Sequence, residues 1–331
     1  MSKKLVVILS CADWAGSQYQ TCQAINSVGE FECRHITLFK HPHEYPTDVF
    51  MHLYPRTTTE HRTSVIVGLQ SGQYETISDL LTKADIIHLW NTSHGEDALM
   101  QAGLPVSFDK VKVITMTGSA YRDYHSMINL QLAILKDCKV VVQDPMLKFE
   151  DEIESTFIPH AINVDDFKPQ RDREKIVGVY RPTHKTGFRH GDEDISRVRE
   201  LIHSFDGWRV GLDYNMPHQE RMEKLSRCSL FIQDLSPYIG YWGRATLEAS
   251  ALEVPCMQNY DNRLTGKSEG KLGGIPLVKV ELNTAEVELK KLIENEDYRV
   301  EVGRKSRQWV EDHYSYSVVG KMYSDLYRQM L

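Results

Sequence analysis

Residues 228–258 hold the densest set of groups in this chain that could bind a phosphate. Leu230, Phe231 and Ile232 form a short apolar run suited to a buried strand. Asp234, Ser236, Pro237 and Gly240 then supply turn formers. From Gly243 onward Ala245, Leu247, Ala249, Ala251 and Leu252 follow a helical pattern, which Pro255 stops. A strand, a polar loop with two aromatics and a helix start aim backbone N–H groups and the positive end of a helix dipole at the loop, a ready site for phosphate. Glu248, about one turn into that helix, could accept hydrogen bonds from ribose hydroxyls. Plain scaffold explains the pattern equally well, because strand–loop–helix units with one glutamate occur throughout α/β proteins.

The elements around this stretch alternate. Strands are predicted at residues 5–9, 33–39, 85–90, 111–116 and 139–142, with helices at 18–28, 76–83 and around 127–135. The first strand reads as the centre of a parallel sheet, and residues 10–17 form the loop after it. That opening resembles a Rossmann-like half but lacks G-x-G-x-x-G. A second series follows, with strands at 176–180, 208–212, 230–232 and 276–280 and helices at 195–204, 220–226, 284–294 and 297–311. A last helix over 313–331 carries Val318, Met322, Leu326 and Met330 at four-residue spacing. Asp192, Glu193 and Asp194 read as a charged helix start. His41 and His43 could be metal ligands, but with no cysteine or carboxylate at ligand spacing a solvated loop fits them better.

Several motifs resemble GT-B glycosyltransferases, most closely glycosyltransferase family 4. Ser236-Pro237, Gly240-Tyr241-Trp242-Gly243, Thr246-Leu247-Glu248-Ala249 and Val254-Pro255 resemble the donor-sugar loop of that family. Residues 158–169, from Ile158-Pro159-His160 to Phe167-Lys168-Pro169, resemble its interdomain link, and Asp85 and His88 its Asp–apolar–apolar–His strand. The resemblance implies two Rossmann-like domains facing across a cleft: 1–169 on the acceptor side, 170–312 on the donor side, and 313–331 as a helix returning to the first. It implies transfer of a sugar from a nucleotide-sugar, retaining and without a metal; the nucleotide-sugar is a co-substrate and no cofactor is needed. Arg181 and Lys185 match by place the pair that grips the donor diphosphate, an arginine fork and a lysine point charge. Gly16 and Ser17, with Trp14 nearby, fall on the loop near the donor phosphate. Tyr241, Trp242, Gly243, Arg244 and Thr246 fall on the donor loop, and Glu248 on the residue that holds the ribose. Two positions depart from the family: Gly240 stands where it has a sugar-binding glutamate, and Thr117 where it has a histidine. A nucleotide-binding pseudoenzyme or a nucleotide-sugar epimerase is therefore carried as an alternative.

At 331 residues the chain has room for two domains, each with a core. A 41% hydrophobic and 26% charged composition excludes disordered and fibrous classes. A net charge of −7 provides no global basic field for nucleic acid or anionic membrane. Six scattered cysteines without a C-x-x-C pair suit a reducing compartment, and no apolar run approaches a membrane span. The expectation is a cytoplasmic enzyme without a transmembrane segment. Its acceptor is left open between a glycan, a lipid, a small molecule and a modified DNA base.

Overall fold

The computed structural model describes residues 3–13, 16–39, 46–50, 71–90, 105–117, 138–145, 154–179, 192–211, 216–233, 235, 241–265, 274–281 and 284–331. The chain divides into two compact units, residues 1–161 with 316–331 and residues 162–315.

In the first unit, short apolar runs become strands buried on both faces, as a covered parallel sheet requires. The strands are β1 (Lys4–Ala12), β2 (Phe31–Phe39), β3 (Val49–Phe50), β4 (Ile86–Trp90), β5 (Val111–Met116), β6 (Lys139–Val142) and β7 (Ser155–Phe157). They pair in parallel in the order β3-β2-β1-β4-β5-β6-β7. Alternation along β1 sends Val7 and Leu9 into a core with Ile77 and Leu81 of helix α2 (Ser71–Lys83). Val6 and Ile8 enter the opposite core, with Cys22 and Ile25 of α1 (Ser17–Val28).

The second unit holds β8 (Glu174–Val179), β9 (Arg209–Gly211), β10 (Cys228–Ile232), β11 (Cys256–Gln258) and β12 (Val278–Lys279), ordered β12-β11-β10-β8-β9. Its helices are α3 (Asp192–His203), α4 (His218–Ser226), α5 (Arg244–Ala251), α6 (Ala285–Glu294) and α7 (Glu296–Tyr314). Val177, Leu230, Ile232, Met257, Leu289 and Leu292 share its core.

The two junctions between units lie at 161/162 and 315/316, whereas the sequence motifs suggest 169/170 and 312/313. Ile162 donates its N–H to the Tyr314 carbonyl at 2.8 Å, and Phe167 is buried within the second unit. The continuous helix expected over 313–331 is corrected by Ser315, which is extended at φ −61° and ψ 157° and bridges Ile162. Helix α8 (Tyr316–Arg328) therefore starts afresh and packs in the first unit against α1. A Cβ on Gly320 would come 2.1 Å from the Ala24 carbonyl oxygen, so only glycine admits this approach. The buried face of α8 is Val319, Tyr323, Leu326 and Tyr327; of the expected stripe only Leu326 is buried, with Met322 and Met330 partly buried beside it. Strict four-residue spacing drifts around a helix of 3.6 residues per turn, which leaves Val318, Met322 and Met330 on the flank.

Polar groups buried in the first core are tied together. His88 is fully buried, its Nδ1 2.7 Å from the Tyr327 hydroxyl and its Nε2 2.7 Å from Thr115 Oγ1. Burial lowers the pKa of His88 to about 3, and that of His35 likewise to about 3. The unfolded chain takes up these protons near the ordinary histidine pKa, so stability is complete above about pH 6.5 and falls as the pH drops toward 3. Each histidine should contribute a slope of about 1.4 kcal/mol per pH unit within that window. We expect urea unfolding between pH 6.5 and 5 to show this decline, and His88→Gln to remove about one proton from it. An unchanged slope in the variant would exclude His88 as a source.

Candidate functional site

In open parallel α/β sheets, ligands bind beyond the carboxyl ends of strands where the strand order reverses. In the second unit the reversal lies between β8 and β10, which run side by side with Phe231 opposite Gly178 and Ile232 opposite Val179. The carboxyl ends of these strands, at Val179 and Ile232, therefore lie side by side, and each is followed in sequence by one of two segments. One contains Arg181 and Lys185; the other runs through Tyr241 to Gly243 into α5.

Helix α5 is buried along almost its whole length, with only Ala245 partly exposed. Glu248 has a side chain 1% exposed. His218 Nε2 and Arg244 Nε each lie 2.9 Å from its Oε1, and Arg221 Nη2 lies 3.6 Å from its Oε2. Burial pushes the Glu248 pKa up, but His218, Arg244 and Arg221 together outweigh it and hold the carboxyl well below the usual range. The group is an ionised carboxylate inside a cationic cage. His218 and Arg244 engage Oε1, while Oε2, the oxygen left for the expected ribose contact, is buried and has no hydrogen-bond partner among the described residues. His218 and Arg221 escape the sequence reading, although Pro217 as a helix start and an i, i+3 pair on one face were visible signals.

The far end of α5 is tied down by charge. Arg173 donates to the carbonyls of Leu252, at 2.6 Å, and Glu253, at 2.7 Å. Arg307 reaches the carbonyl of Ala251 and, at 2.8 Å, that of Phe167. Val254 N–H to the Ala249 carbonyl and Glu253 N–H to that of Ser250 close a Schellman turn, with Glu253 in the left-handed region at φ 59°. Helix α7 can pass this turn only because residue 303 is glycine: a Cβ there would lie 2.1 Å from the Glu253 carbonyl oxygen.

Other candidates on the donor loop have internal roles. Trp242 is fully buried; its indole N–H donates to the Tyr314 hydroxyl at 2.8 Å and its ring packs edge-on against Trp309 and Tyr260. It is a core side chain, not a pocket wall. Tyr241 is 7% exposed and stacks, tilted, on Trp242. Thr246 Oγ1 donates to Gln258 Oε1 at 2.7 Å, joining α5 to β11, so only its backbone faces the helix start. Gly243 caps α5 in an extended conformation, 3.4 Å from Gln233 Nε2 at the position of a Cβ. Buried Cys228 and Cys256 have pKa values pushed up to about 12 by burial, which keeps both thiols protonated.

In the first unit the reversal lies between β1 and β4. Gly16 sits in the left-handed region at φ 70° and begins α1. Asp13 accepts the N–H groups of Gln18 and Tyr19, both at 3.0 Å, so a protein carboxylate already occupies this helix start. Ser17 Oγ donates to Gln143 Oε1 at 3.1 Å and lies 2.8 Å from His160 Nδ1. Gly16 and Ser17 thus form a closed polar knot, and the anion expected there would meet the charge of Asp13. Arg181, Lys185, Trp14, Gly240 and the pair His41 and His43 lie outside the described residues. Among the described residues no group of three His, Cys, Asp or Glu could hold a metal ion, and no helix is long and apolar enough to cross a membrane.

No protein-family model and no curated protein matches the chain. Solved structures do. Sucrose-phosphate synthase from Thermosynechococcus elongatus is similar with a TM-score of 0.62 at 14% identity, over 99% of each chain. A glycosyltransferase from Rickettsia africae gives 0.58 at 14% identity, again over 99% of each. Anabaena HepE, in complex with UDP and glucose, gives 0.59 at 9% identity over 99% of this chain and 100% of its own. The likeness is one of fold: an α/β chain with two parallel sheets, matching GT-B glycosyltransferase structures.

Replacing Glu248 by Gln leaves buried Arg244 and Arg221 without their shared counter-charge. A loss of about 3–5 kcal/mol is expected from denaturant unfolding at pH 7. Because the folded pKa of Glu248 is depressed, its contribution is present above about pH 4.5 and lost as the pH falls, and Glu248→Gln should flatten that acid limb. A loss below about 1 kcal/mol would show that the cage needs no carboxylate.

Proposed function

We propose that this chain is a glycosyltransferase that moves a sugar from a nucleotide-sugar to an acceptor, with retention at the anomeric carbon and without a bound metal. The observation that carries the proposal is the side-by-side pairing of the carboxyl ends of β8 and β10 at the strand reversal of the second sheet, in the unit that holds the anchored helix α5. In this reading Arg181 and Lys185 neutralise the departing nucleoside diphosphate, and the backbone N–H groups at the start of α5 add oriented dipoles. The anomeric carbon–phosphate-oxygen bond breaks as a bond to the acceptor hydroxyl forms. The family 4 motifs at 158–169 and 236–255 support the same assignment. UDP is the first nucleotide to try, because the similar Anabaena HepE structure contains it. A cytoplasmic location belongs to the proposal and is supported by the free thiols of Cys22, Cys33, Cys228 and Cys256.

Gly240 and Thr117, at positions where the family has glutamate and histidine, favour a second reading: nucleotide binding without transfer, in a pseudoenzyme or partner subunit. An enzyme that transfers a sugar needing fewer contacts, a pentose or an unusual hexose, accommodates the same two residues.

The test is a thermal-shift panel of UDP, GDP and ADP with their nucleotide-sugars, followed by product analysis with and without acceptors. One nucleotide class should raise the melting temperature, since a ligand held only by the folded state stabilises it by mass action. Arg181→Ala and Lys185→Ala should each reduce the shift. Binding without turnover would select the pseudoenzyme, and isomerisation of the donor without acceptor would select an epimerase. No shift with any nucleotide would overturn the donor site.

A further inference from the structure

Two guanidinium groups and an imidazole crowd one carboxylate at the start of α5. His218 and Arg244 both engage Glu248 Oε1, and Arg221 approaches Oε2. Arg244 has a side chain only 5% exposed, and among the described residues its Nη1 has no hydrogen-bond partner. Among the described residues Glu248 is the ion-pair partner of Arg244, and Glu248 is shared with two other groups. A buried guanidinium N–H without an acceptor is a costly feature, and such groups in folded proteins mark a place for a missing oxygen. The positive end of α5, whose first residue is Arg244 itself, adds to the same potential.

The geometry points to a division of roles within the donor loop: Arg244 contacts a phosphate-type oxyanion of the donor through Nη1, while Glu248 is the internal counter-ion that fixes the guanidinium. This deepens the donor-site reading and rests on it. An oxyanion suits the site for three reasons. The orphaned Arg244 atom is a donor, the carboxylate beside it is only 1% exposed although its Oε2 also lacks a hydrogen bond, and among the described residues two guanidinium groups face this one carboxylate. Arginine is also suited to phosphate by its planar array of donors. Glu248, bonded through Oε1 to Arg244 Nε, acts as a positioning residue: it sets where Nη1 points without touching the ligand.

The roles separate with a probe that has no ribose. Titration calorimetry of inorganic pyrophosphate, UDP and uridine would be run on the wild type, Arg244→Gln, Arg244→Lys and Glu248→Gln. Arg244→Gln keeps His218 and Arg221 on Glu248, so the fold has support; circular dichroism confirms it. Pyrophosphate should bind the wild type, and Arg244→Gln should weaken pyrophosphate and UDP by the same factor, about tenfold or more. Arg244→Lys should recover part of the loss, and uridine should be indifferent to residue 244. Glu248→Gln, if folded, should weaken UDP and pyrophosphate alike. Wild-type pyrophosphate binding that Arg244→Gln leaves unchanged, or no such binding at all, would overturn the proposal. So would a Glu248→Gln variant that loses UDP but keeps pyrophosphate, because that pattern belongs to a ribose contact. Failure of the nucleotide reading would look different: UDP, GDP and ADP would bind wild type no more tightly than pyrophosphate.

Discussion

A short helix buried on nearly every side, α5, is held by charge at both ends, and the arrangement of the second unit follows from that. Its last carbonyls would be buried without partners if Arg173 and Arg307 did not reach them. Its first turn carries a guanidinium whose charge is matched, one turn later, by Glu248. Eight residues of isolated helix would not persist in water, so tertiary contacts must supply the stability. Gly303 lets α7 close over the C-terminal turn, Thr246 links the helix to β11, and Trp242 wedges the preceding loop against Tyr314 and Trp309.

The two units treat the same topological feature in opposite ways. Each has a strand reversal where ligands collect in folds of this type. In the first unit the helix after the reversal is capped by Asp13, a negative group of the protein's own. In the second, the helix after the reversal begins with Arg244, whose charge is paired with Glu248. One helix start carries a carboxylate of the protein and the other a guanidinium.

Much of the architecture was legible because it rests on local patterns. Val6 to Leu9 and Leu230 to Ile232 are apolar without interruption and Ile86 to Trp90 is broken only by His88, and each lies in a buried parallel strand. The terminal helices were legible from periodicity, but the break at Ser315 was not, because it comes from a bridge to Ile162, more than 150 residues away in sequence. Strands of two or three residues, such as β7 and β12, carry too few side chains for a pattern. At the site, motif and spacing singled out Glu248 and Arg244 but could not reveal that Glu248 is enclosed. That follows from His218 and Arg221 on another helix, a contact across 30 residues. Trp242 fits both a pocket wall and a core wedge from sequence alone; its bond to Tyr314 decides for the wedge.

The most direct test of a donor site at the strand reversal of the second unit is hydrogen–deuterium exchange with and without saturating nucleotide. Protection confined to residues 180–191 and 233–247 is the result this account requires, because those segments carry the anionic group. Protection confined to the first unit, around residues 10–18, would contradict it and would place the nucleotide at the helix start that Asp13 already occupies.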